Sequence, residues 1–269
     1  MDNPRRNREI TVNGWRIEPI GEWSAAPPEM VEDAIKRVVQ AIESAADRPY
    51  HRSRHALTYM TQIPVGTGRA QELYIKTFHP ARGLAAIKQM VRGDRVHNVL
   101  RITADLHRAG FATAPVLLKG VHAASGRIML TSSRAEGVSL PEFIACGQGS
   151  LARKRVLLRQ LGSEVARLHR TGLVHGDMTP YNVFVVQGEP PRFIFLDHDR
   201  TRPGFPAGRR YRQLRNLVQL GRFDLPGVSN ADRLRVFNAY AAGLDRVHRR
   251  AMARRVARML ARRRRRDAK

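Results

Sequence analysis

The stretch Leu168-His169-Arg170-Thr171-Gly172-Leu173-Val174-His175-Gly176-Asp177-Met178-Thr179-Pro180-Tyr181-Asn182 decides how this chain reads. A helix ends in it at Leu-His-x-x-Gly, a short loop follows, and the apolar run from Asn182 to Val186 begins an extended segment. A second apolar run, Phe193 to Leu196, ends on Asp197, fifteen residues after Asn182, with Gln187-Gly-Glu-Pro-Pro191 as the turn between the two. An antiparallel hairpin sets the start of its first strand beside the end of its second, so Asn182 and Asp197 are expected side by side. Both are hard oxygen donors of the kind Mg²⁺ prefers, and Asp177 is a carboxylate placed to orient or deprotonate a hydroxyl. Together these are the requirements of phosphoryl transfer.

The H-x-D…N spacing matches a protein-kinase-like catalytic loop, and Asp197 falls where kinases carry their metal-binding Asp. Upstream, Lys76 ends the apolar strand segment Leu73-Tyr-Ile-Lys76, the place of the kinase strand lysine that clamps the nucleotide phosphates. Only 6 of the 48 basic residues are lysines, so a lysine inside a strand singles itself out. An isolated His-Gly-Asp is often only a turn, and an Asp after a strand is often a cap. Lys76, His175, Asp177, Asn182 and Asp197 in this order, each on the expected element, argue against coincidence. His175 is expected to shape the loop backbone rather than to carry protons.

Two kinase parts are altered. No G-x-G-x-x-G appears, and His51-Arg52-Ser53-Arg54, just before the first strand of a hairpin, is the positional candidate for the phosphate-covering loop. Between Lys76 and Leu130 there is no Glu, and the only carboxylates are Asp94 and Asp105, so the usual Lys to Glu ion pair cannot form. Asp94 reads first as the N-cap of a helix beginning at Arg95, with a partner role for Lys76 as the alternative. Thr131, Ser132 and Ser133 are expected along the adenine side by position alone. Asp199 either supports Asp197 or binds a second ion.

The rest of the chain has a coarse pattern around these motifs. Ile10 to Ile17 alternates like a strand, Met30 to Ala45 repeats apolar residues at helical spacing, and Ala56 to Val65 with Gln71 to Phe78 reads as a hairpin around Gly66-Thr67-Gly68. Arg95 to Ala109 reads as a helix. Ala114 to Gly120 and Arg127 to Thr131 follow as extended segments, and Ser132 to Ser139 reads as a connector. Helices are expected again at Leu151 to Arg170, Arg209 to Leu220 and Asn230 to Leu244. The expected organisation is an α+β, bilobal, protein-kinase-like fold. Its parts are a small β-rich N-lobe over residues 1–131, a mostly helical C-lobe over 132–243, and a basic amphipathic tail over 244–269.

Composition narrows the function. The chain has 269 residues, a formal charge of +25 and 42% hydrophobic residues, which suits a folded enzyme and not a disordered basic chain. No apolar run approaches the ~18 residues of a membrane span, and the polar start MDNPRRNREI shows no secretory signal. The single cysteine, Cys146, excludes an internal disulfide and points to a reducing, cytoplasmic location. The tail from Leu244 to Lys269 carries 12 basic and 2 acidic residues. Its Leu244, Val247, Met252, Val256, Met259 and Leu260 lie broadly along one side of a helix, the pattern of a helix lying on an anionic membrane surface.

The chain resembles the bacterial lipopolysaccharide core kinases over roughly residues 50–245. The resemblance rests on Leu73-Tyr-Ile-Lys76, on Ala104-Asp-Leu-His-Arg-Ala-Gly110-Phe-Ala-Thr-Ala-Pro115, on His175-Gly-Asp177-Met-Thr-Pro-Tyr-Asn182, on Leu196-Asp197-His-Asp199-Arg200 in place of D-F-G, and on Arg212-Gln-Leu-Arg215-Asn216-Leu217. It implies an ATP- and Mg²⁺-dependent kinase that phosphorylates 3-deoxy-manno-octulosonic acid (Kdo) or heptose, with the Kdo branch the better match. Its acceptor would be a lipopolysaccharide core or lipid A glycolipid at the cytoplasmic face of the inner membrane. Asp177 would be catalytic, Lys76, Ser53, Thr131 and Ser133 would serve ATP, and Asn182 and Asp197 would hold the metal. Only about a dozen residues separate Asp197 from the next helix, which disfavours the alternative of an atypical Ser/Thr protein kinase. A nucleic-acid-binding pseudokinase is the third reading, and it leaves the intact catalytic set unexplained, so nucleic acid is not the expected partner.

Overall fold

The computed structural model describes residues 9–53, 56–65, 69–80, 95–146, 150–204 and 206–267. The chain divides into two compact units, one of Met1–Leu100 with Ala114–Ala135, the other of Arg101–Thr113 with Glu136–Lys269. The first is β-rich and the second mostly helical, as an α+β chain of this class is expected to be.

In the first unit, seven strands form one antiparallel sheet: β1 (Ile10–Val12), β2 (Trp15–Pro19), β3 (His51–Arg52), β4 (Ala56–Val65), β5 (Arg69–Phe78), β6 (Val116–His122) and β7 (Ile128–Ser133). Their order is β1-β2-β6-β7-β5-β4-β3. Helix α1 (Pro28–Ser44) lays Val31, Ile35, Val38 and Ile42 against Leu57, Tyr59, Leu73, Ile75 and Met129 on one face. The opposite face carries Ala56, Phe78 and Leu130, packed with Val96 and Val99 from the start of α2 (Arg95–Arg108).

Ile10 to Ile17 is not one strand but a hairpin, with Val12 paired to Trp15. Asn13 and Gly14 take φ of 46° and 77°, the left-handed pair that a two-residue turn of this hand requires and that Asn-Gly supplies readily. The connector also begins later than its composition suggests, because Ser132 and Ser133 continue β7 and pair with Tyr74 and Leu73. Asp94, Arg54 and Gly66-Thr67-Gly68 lie outside the described residues.

The second unit takes in Arg101–Thr113, which the sequence suggests as N-terminal, because Ile102, Leu106 and Phe111 belong to its core. It contains β8 (Val138–Ser139), α3 (Leu140–Ala145), α4 (Leu151–Arg170), β9 (Leu173–Val174), β10 (Val183–Val186), β11 (Arg192–Phe195) and β12 (Arg202–Pro203). Helices α5 (Pro206–Gly221), α6 (Asn230–Tyr240) and α7 (Arg246–Asp267) follow. Helix α6 starts in a capping box between Ser229 and Asp232, and it stops four residues short of the expected Leu244.

The tail is expected to lie on a membrane surface, and part of its apolar stripe is used within the second unit. Met252, Val256 and Met259 are packed, partly buried, against the core cluster of the second unit, so that part of the apolar stripe faces protein. Spacings of four and three residues give a narrow stripe, which helical neighbours such as α5 can cover. Val247 stays 75% exposed, and the arginines occupy the outer faces.

Candidate active site

Four short strands hold the loop from His175 to Asn182. β10 pairs with β11 in register from Val183 opposite Phe195 to Val186 opposite Arg192. β9, just before the loop, pairs with β12, just after Asp197. One backbone bond, from Leu196 N to Asn182 O at 2.9 Å, extends the hairpin to the residue next to Asp197. Alternation sends Val183 and Val185 into the core and leaves Asn182 and Asp197 at the hairpin's open end.

Each polar residue of the loop has a traceable role. The buried His175 ring donates from Nε2 to Leu196 O at 2.8 Å and accepts at Nδ1 from Asp177 N at 3.0 Å. Burial pushes its pKa down, so it is a neutral strut between the two loops. Asn182 donates from Nδ2 to Asp177 O at 2.8 Å, which fixes the amide and makes Oδ1 the oxygen open to a cation. Asp197 is exposed and has φ 64° and ψ 63°, a left-handed conformation that is costly for most non-glycine residues and tolerated by Asp. Behind it the short turn His198–Arg200 contains Asp199, and His198 is tied to Phe195 O at 2.7 Å, with burial lowering its pKa to about 3.

Gly176 explains itself by contact. A Cβ there would lie 2.0 Å from Arg200 Cβ and 2.3 Å from Arg200 O, so only glycine lets the two loops touch.

Asn182 and Asp197 offer one amide oxygen and one carboxylate. Mg²⁺ is commonly held by one or two protein groups together with substrate phosphates, so this donor set fits such an ion. Among the described residues no group of three or more His, Cys, Asp or Glu forms a metal cluster.

Lys76 stands in β5 of the first unit, opposite Thr58 on one side and Leu130 on the other, with Nζ 5.5 Å from the centre of the Phe78 ring. Of the three positions expected on the adenine side, only Ser132 shares the Lys76 face, opposite Tyr74. Thr131 and Ser133 lie opposite Ile75 and Leu73 and are buried on the α1 face. That corrects their expected placement, and the reason is the two-residue alternation of a strand. Ser53 does sit in the turn between β3 and β4, but its Oγ accepts from Ala56 N at 3.1 Å and so closes that turn. Asp105 is engaged by Arg108 in the last turn of α2.

Two residues that reach the loop are not singled out by the motifs: Gln219 lies outside all of them, and Asn216 lies inside one read for its arginines. The Arg212-to-Leu217 segment falls in α5, where Arg212 and Arg215 are exposed. It is the buried Asn216 and Gln219 that reach the loop, with Gln219 Nε2 donating to Asp177 Oδ1 at 3.1 Å. The available signal was two amides three residues apart interrupting the apolar face of Leu214, Leu217 and Val218. Tyr181 is 55% exposed beside Asn182, edge-on to Phe223, whose ring lies 4.5 Å from the Arg222 guanidinium.

A family model described as "Lipopolysaccharide kinase (Kdo/WaaP) family" matches residues 101–240. A comparison with curated proteins finds no match. Among solved structures, the bifunctional kinase-methyltransferase WbdD is similar at 18% identity and a TM-score of 0.44, over 78% of this chain and 54% of its own. A Plasmodium vivax ethanolamine kinase is similar at 11% identity and a TM-score of 0.46, over 74% of this chain and 69% of that one. A divergent Toxoplasma kinase lacking the glycine-rich loop is similar at 11% identity and a TM-score of 0.40, over 87% and 78%. The chain thus spans about half the length of WbdD. With the family match, the β-rich first unit and the mostly helical second unit bear out the expected α+β, protein-kinase-like fold.

Proposed function

The chain belongs to the lipopolysaccharide kinase (Kdo/WaaP) family, and from that premise we propose that it transfers the γ-phosphoryl group of ATP to a sugar hydroxyl, of Kdo or heptose, in the lipopolysaccharide inner core. The observation that carries this reading is the loop geometry: Asp177 is held by His175 and Gln219, and Asn182 and Asp197 end one hairpin. Asp177 takes or orients the proton of the acceptor hydroxyl. Lys76 holds the α- and β-phosphates. Asn182 and Asp197 would hold Mg²⁺, which would neutralise charge on the phosphates.

A carbohydrate acceptor is favoured over a peptide by two features. Only eight residues lie between Asp197 and the start of α5 at Pro206, little room for a peptide-docking segment. The exposed Tyr181 with Phe223 and Arg222 offers a ring face and a cation next to the loop, suited to an anionic sugar. The arginine faces of α7 suit the anionic surface of the membrane that presents such a glycolipid, at its cytoplasmic side. No helix among the described residues is long and apolar enough to cross a membrane.

The test is transfer of label from γ-labelled ATP to Kdo-bearing or heptose-bearing core acceptors, with protein substrates in parallel. Labelled glycolipid that disappears with Asp177→Ala supports the reading. Label on protein alone overturns it, and salt-sensitive RNA or DNA binding without any transfer favours the nucleic-acid alternative.

A further inference from the structure

A chain of buried and partly buried side chains leads away from the Asp177 carboxylate into the second unit, and the direction of every hydrogen bond in it can be worked out. Gln219 accepts at Oε1 from the backbone N–H of Met178 at 3.3 Å, a group that can only donate. That orients its amide, so Nε2 faces Asp177 Oδ1 at 3.1 Å and Gly176 O at 3.4 Å. Asn216 donates from Nδ2 to the backbone oxygen of His175 at 2.5 Å, a group that can only accept. Its second amide proton goes to Gln219 Oε1 at 3.1 Å.

Asn216 Oδ1 must then accept, and the His169 Nε2 facing it at 3.0 Å must be its donor. The His169 pKa is lowered to about 4, chiefly by burial, so the ring is neutral and its other nitrogen, Nδ1, carries a lone pair. The donor to that lone pair is the Tyr240 hydroxyl at 2.9 Å, whose own pKa is raised to about 12 by burial. His169 and Asn216 are only 5% and 1% exposed.

We infer that Tyr240, His169, Asn216 and Gln219 form a one-way donor chain that ends on Asp177 Oδ1, and that Gln219 is a positioning residue for the catalytic carboxylate. Each link donates toward Asp177 and each acceptor is polarised by the donor behind it, so the chain favours the ionised carboxylate and fixes its rotation. Oδ1 is engaged by Gln219, which directs Oδ2 to the acceptor hydroxyl. Nothing in the His-x-D…N motif supplies this contact; α5 and α6 bring it from far along the chain.

The inference rests on the role given to Asp177 above, and its test separates the two. ATP hydrolysis, with water as acceptor, and transfer to a core acceptor are both measured for the full chain carrying Gln219→Met, which keeps length and apolar contact but removes both donors. Turnover is expected to fall about 10- to 100-fold, at or below the lower end of what a positioned acid–base group itself supplies, with KM for ATP within about twofold and the unfolding midpoint close to wild type. Tyr240→Phe removes only the first donor. It is expected to lower kcat by only a few fold while the ¹⁵N resonances of His169 shift toward a mixture of tautomers. Wild-type turnover in Gln219→Met with an inactive Asp177→Ala overturns the donor chain alone. Unchanged turnover in Asp177→Ala overturns the role of Asp177 itself. If Gln219→Met does not fold, Tyr240→Phe decides, because wild-type His169 resonances and wild-type kcat together exclude the chain.

Discussion

The Asp177 loop of the second unit and the Lys76 strand of the first are built in opposite ways. Around Asp177, residues close in sequence supply most of the support: His175 accepts from the Asp177 backbone, Asn182 grips its carbonyl, and β10 with β11 brings Asp197 round. Around Lys76 the sheet supplies the flanking residues, with Phe78 two positions on as a local ring contact. The Lys76 neighbours Thr58 and Leu130 come from the paired strands β4 and β7, and which side chains share its face depends on pairing register. A loop that carries its own braces tolerates change elsewhere and fails at its own residues. A strand site has its precision distributed over the whole sheet.

That contrast can be broken at several strengths. Asp177→Ala is expected to cost the most, a fall in kcat on the order of 10³ with little change in ATP affinity, read by steady-state kinetics. Lys76→Met should cost on the order of 10² in kcat/KM for ATP, with the unfolding midpoint preserved; a change confined to stability would remove Lys76 from the site. Gly176→Ala tests the brace itself. The added methyl has no room beside Arg200, and a loss of about 1–3 kcal/mol in urea unfolding is expected.

Acidification should also separate the units. Among the described residues, the buried histidines His169, His175 and His198 all lie in the second. The His169 pKa falls from 6.5 to about 4 on folding, so below pH 6.5 the unfolded chain binds a proton that the folded chain refuses. Its share of stability is therefore present above pH 6.5 and lost as pH drops toward 4, by up to about 1.4 kcal/mol per pH unit in that window. Hydrogen exchange at pH 5 should show protection lost first in α4 and α5; equal loss in the sheet would contradict this. The smallest effect belongs to Thr131→Val. Thr131 Oγ1 is buried with no hydrogen-bond partner among the described residues, so removing it should leave KM for ATP unchanged and add up to about 1 kcal/mol of stability.

The residues themselves show what could be read in advance. The apolar runs ending at Val186 and Leu196 required a hairpin, and the hairpin required Asn182 and Asp197 to meet. Helix α4 follows its apolar spacing to the residue, from Leu151 to Arg170. Ser133 and Thr131 misled because position in a strand names two faces and chain order alone does not choose between them. In the arginine-rich tail, Met252, Val256 and Met259 make a stripe that suits lipid or protein equally, and only the packing shows that these three meet protein.

Residue type and short-range periodicity were enough to place the Asp177 loop, the hairpin that brings Asn182 and Asp197 together and the strand that bears Lys76. Tertiary structure decided which serine shares the lysine face, where the tail helix packs, and that Gln219 reaches Asp177 across 42 residues of chain. Those facts depend on distant segments meeting, and a contact between distant segments leaves little mark on the spacing of either one.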